Sequence, residues 1–145
     1  MKTTKTIYLL PLLLLFSCVD KKQLDVKQEH YFDGTLKFIK RYNDGQLSGQ
    51  AQWFYPDGKL EQTVMFRNGS ENGNAYYFYP SGTLKSHRHW RDGKMNGYVA
   101  DYYDDTVGII KSVLIYNDNG SLIYKKTFDS LGRVISEEGK KPDSP

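Results

Sequence analysis

The sequence predicts an all-β protein: an open antiparallel meander of β-hairpin repeats that forms a single elongated sheet. Three observations carry this. Glycines recur every 24 residues, at Gly45, Gly69 and Gly93, at Gly49, Gly73 and Gly97, and at Gly58 and Gly82. Aromatic residues keep the same phase, as in Tyr55, Tyr79 and Tyr103, in Phe54, Phe78 and Tyr102, and in Tyr42, Phe66 and Trp90. The composition agrees: 12 Tyr, 7 Phe, 2 Trp and 13 Gly in 145 residues describe strands and turns. A disordered chain lacks the aromatics that offset the entropy of ordering.

The chain opens with Lys2 and Lys5, an apolar run over residues 7–16, and Leu15-Phe16-Ser17-Cys18. That is a charged n-region, a short h-region and a small residue before a cleavage point. Ten helical residues cover about 15 Å of the roughly 30 Å of hydrocarbon, too short for a permanent span. The segment resembles a bacterial lipoprotein signal. The resemblance implies that residues 1–17 are removed and that Cys18, acylated on its sulfur, becomes the N-terminus and anchors the protein to a membrane of the bacterial cell envelope. Several acyl chains at about 0.8 kcal/mol per buried CH₂ hold a protein on a bilayer essentially permanently. Residues 18–30 are then expected to be the lipidated cysteine and a solvated tether. Asp20, Lys21, Lys22, Asp25, Lys27 and Glu29 leave that stretch few apolar positions.

Residues 31–138 carry the repeat. Each full unit opens with an aromatic-rich strand, at residues 50–55, 74–79 and 98–103. A tight turn follows at Tyr55-Pro56-Asp57-Gly58 and Tyr79-Pro80-Ser81-Gly82, where Pro presets φ and Gly closes the turn. The second strand alternates, with Leu60, Gln62, Val64 and Phe66 on one face and Glu61, Thr63 and Met65 on the other. The chain turns back at Asp44-Gly45, Asn68-Gly69 and Asp92-Gly93, pairs that tolerate positive φ. Half-units flank the core repeats, at Asp33-Gly34-Thr35-Leu36, Asn119-Gly120-Ser121-Leu122 and Leu131-Gly132-Arg133-Val134. Asp104-Asp105-Thr106-Val107-Gly108 interrupts the pattern with an insertion, and Ile109, Ile110, Val113, Leu114 and Ile115 follow it on both faces, for which a bulge or local two-sided burial is expected. Residues 139–145 read as a polar, disordered tail.

The half-pattern Tyr-x-x-Gly-x-Leu, followed by an aromatic residue, Asn/Asp-Gly, a second Asn-Gly and an aromatic strand, resembles the variant MORN repeat of bacteria. The copies at residues 54–73 and 78–97 match it best. The resemblance implies strings of β-hairpins in an open sheet, a scaffold rather than an activity. It also implies an antitoxin-like role, since many members carry the label of a toxin-antitoxin antitoxin component.

Composition and motifs exclude several activities. Without Lys2 and Lys5 the chain holds 18 basic against 17 acidic side chains, interleaved throughout. A near-neutral surface lacks the clustered cations of a nucleic-acid binder. One cysteine makes no internal disulfide and no Cys-based zinc site. His87 and His89 share a strand face without a third sequence-designated ligand, so no metal or other cofactor is expected. No nucleophile elbow or phosphate loop occurs, and carboxylate pairs such as Asp104-Asp105 and Glu137-Glu138 read as solvated loop neighbours. A non-catalytic protein is expected. The candidate binding residues are Trp53, Tyr55, Tyr77, Tyr79 and Tyr103, which share one strand parity. A wet aromatic face suits a protein partner, and it also suits a carbohydrate or cell-wall ligand stacked on the tyrosines. Cross-strand aromatic pairing that merely stabilises the sheet fits the same residues.

Overall fold

The computed structural model describes residues 24–142. The expected signal peptide and Cys18 lie outside the described residues, as do residues 143–145. Within them the chain is one open antiparallel sheet, and every regular element is a strand. The main path runs β1 (Leu24–His30), β2 (Leu36–Asn43), β4 (Gly49–Phe54), β5 (Leu60–Arg67) and β6 (Ser70–Phe78). It continues through β7 (Leu84–Arg91), β9 (Gly97–Tyr102), β10 (Ile110–Tyr116), β11 (Leu122–Phe128) and β12 (Val134–Gly139). The two-residue strands β3 (Gln46–Leu47) and β8 (Lys94–Met95) pair beside β2 and β7.

The two ends of the sheet use different turns. At one end, Asp44 and Gly45, Asn68 and Gly69, and Asp92 and Gly93 all have positive φ, between 49° and 82°. This left-handed pair is the two-residue hairpin that matches strand twist and favours Asn-Gly or Asp-Gly. At the other end Gly58 N–H donates to the Tyr55 carbonyl at 2.9 Å and Tyr55 N–H to the Lys59 carbonyl at 2.8 Å. The same closure recurs at Gly34 with Tyr31 (3.0 Å) and Gly82 with Tyr79 (2.8 Å). Asp33 and Asp57 cap their turns by accepting from Thr35 N–H and Lys59 N–H, and these bonds hold both carboxyls below their ordinary range.

Each strand that leaves a tyrosine turn begins with a one-residue bulge. Trp53 pairs Gln62 while Phe54 pairs Leu60, which leaves Glu61 extra; Lys37, Lys85 and Lys111 are the extra residues of β2, β7 and β10. The bulge expected after the insertion is therefore present, at Lys111. The insertion itself is organised by Asp105, whose Oδ1 accepts from the N–H groups of Val107, Gly108 and Ile109 at 2.8, 2.7 and 3.3 Å.

Two boundaries differ from expectation. Leu24–His30, expected to be part of a solvated tether over residues 18–30, instead form β1, paired from Leu24 with Asn43 to His30 with Leu36. Its residues are all exposed, as on an edge strand, where charges are common; besides the backbone ladder, Glu29 pairs with Lys37 at 2.6 Å and Lys27 lies 4.7 Å from the Tyr42 ring. At the other end Gly139, expected in the tail, closes β12 against Tyr124.

Most of the packing lies on one face, while Ile115 and Tyr124, paired on the other, are 4% and 5% exposed. Ala51 and Ala75 are wholly buried, Val64 and Val99 nearly so, and Ala51, Ala75 and Val99 share one repeat position. Trp53 and Phe66 close over this row with ring centroids 6.5 Å apart. Small residues under large rings let a single layer bury apolar area without a second sheet. Gly69 tests the turn chemistry, because nothing lies within 4 Å of where its Cβ would stand. Gly69→Val should therefore lower stability by about 1–2 kcal/mol through backbone strain alone. Thermal melts measure this, and an unchanged melting temperature would contradict the left-handed turn.

Candidate functional site

Cross-strand partners share a face, so the register assigns every candidate residue. One continuous row runs Phe38, Trp53, Gln62, Tyr77, Ser86, Asp101, Ser112, Thr127 and Ser136. This is the face of the buried alanines. Trp53 and Tyr77, two of the candidates, stand here half-buried. Arg88 lies 4.7 Å from the Tyr77 ring centroid. Burial pushes the Tyr77 phenol up, and the Arg88 guanidinium partly offsets it.

The other three candidates follow the strands, at the entrance to the tyrosine turns. Tyr55 Oη donates to the Phe78 carbonyl at 2.7 Å, Tyr79 to Tyr102 at 2.9 Å and Tyr103 to Phe128 at 2.8 Å. Tyr31, which the sequence reading did not single out, does the same to Phe54 at 2.8 Å. Every acceptor immediately precedes the next turn, so the four phenols stitch each turn to its neighbour. Lys59 Nζ adds a bond to the Pro80 carbonyl at 2.7 Å, and Asp104 accepts from Ser81 and Thr83 at 2.5 and 2.6 Å. These bonds hold the Asp104 carboxyl below its ordinary range.

The third repeat replaces the aromatic of the central row. Where Trp53 and Tyr77 stand, the next unit has Asp101, whose Oδ1 accepts from Ser86 Oγ at 2.7 Å and whose Oδ2 accepts from Ser112 Oγ at 2.8 Å. Ser86 and Ser112 are buried, 2% and 7% exposed. The loss of the aromatic at a 24-residue step was the available signal for this site, visible only once the register set two serines beside it.

Beside Asp101 the face opens into a cleft of about 480 Å³. Tyr79 and Tyr103 form one wall, Leu114, Phe128 and Ile135 the apolar floor, and Lys85, Lys111 and Lys125 stand around it. The structure thus brings Tyr79 and Tyr103 together with the cleft and leaves Trp53, Tyr55 and Tyr77 out of its lining. The opposite face has a cleft of about 570 Å³ near Tyr98, Ile115 and Tyr124, bordered by the Lys126–Glu137 ion pair at 2.7 Å. On that face His87 stacks on Tyr76 with centroids 4.7 Å apart. Among the described residues no three His, Cys, Asp or Glu side chains converge as a metal site.

Residues 47–68 and 71–92 match the family model of the MORN repeat variant. The two matches fall on consecutive hairpins, β3 to β5 and β6 to β7. MORN repeats are in general protein- or membrane-binding modules, and the family is in general non-catalytic. No curated protein matches the chain significantly.

Two substitutions separate the stabilising roles of this face. Tyr79→Phe removes one phenol and orphans the Tyr102 carbonyl, and should cost about 1 kcal/mol. Asp101→Ala leaves two buried hydroxyls without their acceptor and should cost more, about 2 kcal/mol. Chemical denaturation of both variants checks the order; a Tyr79→Phe variant as stable as the wild type would remove the phenol from the account.

Proposed function

We propose that this protein is a non-catalytic, lipid-anchored repeat module of the bacterial envelope that binds another protein, in an antitoxin-like or immunity-like role. The observation that carries the binding reading is the half-wet aromatic face. A one-layer sheet has no second layer to cover Trp53, Tyr77, Tyr79 and Tyr103, and half-buried aromatics on a rigid frame are the side chains that anchor protein interfaces. The match to a repeat family of binding modules points the same way. The anchoring rests on the signal-like segment before Cys18.

A glycan ligand remains the competing occupant. It has less to hold at this face, because the phenols of Tyr55, Tyr79 and Tyr103 already donate to main-chain carbonyls.

A photo-crosslinking residue at Thr127, on the aromatic face, and another at His87, on the opposite face, test the reading in the native envelope. A discrete crosslinked protein from Thr127 and none from His87 is expected. Absence of any protein adduct at both positions, with retention of the chain on purified cell-wall glycan, would replace the proposal with the carbohydrate one. Mass spectrometry of the mature N-terminus should find an acylated Cys18, and Cys18→Ser should leave an uncleaved precursor. An unmodified N-terminus elsewhere would remove the anchor.

A further inference from the structure

We propose that the cleft beside Asp101 holds an acidic peptide segment of a protein partner, with an aliphatic side chain on its floor and carboxylates held by Lys85, Lys111 and Lys125. The inference rests on the binding-module reading and names the chemistry of its site.

The charge comes from the bulges. Lys85 and Lys111 are extra residues of their strands, and the bulges set their ammonium groups 5.5 Å from the Tyr79 ring and 5.7 Å from the Tyr103 ring. Lys125 joins them from β11. The ion pairs among the described residues use Lys37, Lys59, Arg91, Lys126 and Arg133, so none of the cleft lysines is neutralised by one. Glu138 stands opposite Lys125 across the strands without forming an ion pair, and it is not part of the cleft lining. Asp101 is the one carboxylate in the lining, and both its oxygens are occupied by serine hydroxyls. The lining therefore holds three ammonium groups against one carboxylate, a surplus of positive charge.

The same position reverses sign one repeat earlier. Glu61 is the bulge residue of β5, and its carboxylate joins burial in raising the Tyr55 phenol. At the first tyrosine turn the bulge residue Lys37 is met by Glu29 at 2.6 Å, so the bulge lysines without an ion pair are those of the cleft, Lys85 and Lys111.

The remaining lining selects the ligand class. Ammonium groups only donate, so the ligand must supply acceptors, and a carboxylate is the acceptor that also answers the charge. The floor asks for an apolar group as well: Ile135, a bulge residue of β12, is 66% exposed beside Leu114 and Phe128. A peptide that alternates acidic and aliphatic side chains supplies both within a cleft of this volume.

The test uses the full chain in mild detergent and three fluorescent peptides: one alternating Glu and Leu, one with Gln for Glu, and one with Ser for Leu. Only the Glu-Leu peptide should bind, and raising the salt should weaken it. Replacing the three lysines as K85Q, K111Q and K125Q together should weaken it by about tenfold or more, with an unchanged melt. Equal binding of the Gln peptide, or undiminished binding by the triple variant, would overturn the proposal. So would binding to anionic phosphatidylglycerol vesicles without binding to the peptide, which would make the cationic cleft a membrane contact. A triple variant that keeps the Thr127 crosslink would refute the cleft while leaving the module reading intact. Peptide binding without any envelope crosslink would do the reverse.

Discussion

A single sheet with no second layer must find its order within itself, and here the phenol bonds between neighbouring turns provide it. Hairpins joined only by strand pairing are free to splay at their ends, where main-chain carbonyls lose their ladder partners. In this chain Phe54, Phe78, Tyr102 and Phe128 offer such carbonyls, and Tyr31, Tyr55, Tyr79 and Tyr103 reach across to take them. The spacing of 23 residues between donor and acceptor in the first three bonds is the repeat less one. Repeat length and bond geometry are therefore one constraint. The last bond spans 25 residues and still closes, because the insertion around Asp105 is taken up in its own loop.

From this constraint follows the layout of the working face. Phenols committed to the backbone turn their rings into fixed walls, and the bulges opposite set a charged residue beside several of them. Lys37 stands 5.9 Å from Tyr31, Lys85 beside Tyr79 and Lys111 beside Tyr103, while Glu61 neighbours Tyr55. The scaffold repeats, and the residue at each bulge sets the local charge. That division suits a binding module, in which a constant frame presents variable side chains.

Much of this architecture was legible in the sequence. The Asn-Gly and Asp-Gly turns, the Pro-x-Gly turns and the aromatic strands follow from local chemistry, and the 24-residue period fixes their order. The tyrosine bonds were not legible, because period places Tyr55, Tyr79 and Tyr103 in one column without saying what their hydroxyls meet. Strand parity grouped them with Trp53 and Tyr77, yet they lie beyond the strands and serve the turns. The edge strand β1 was missed because its charges resemble a linker and its pairing with β2 is a matter of backbone. The Asp101 site needed the register, since Ser86, Asp101 and Ser112 are separated in sequence by a turn and an insertion.

Amide hydrogen exchange, read strand by strand in variants that replace Tyr31, Tyr55, Tyr79 and Tyr103 by Phe one at a time, tests the stitching most directly. Each loss should speed exchange at the two hairpins that the missing phenol joined and leave distant hairpins slow, as expected where neighbours are coupled in one dimension. Exchange that stays unchanged in all four variants, or that accelerates uniformly along the whole sheet, would contradict the account.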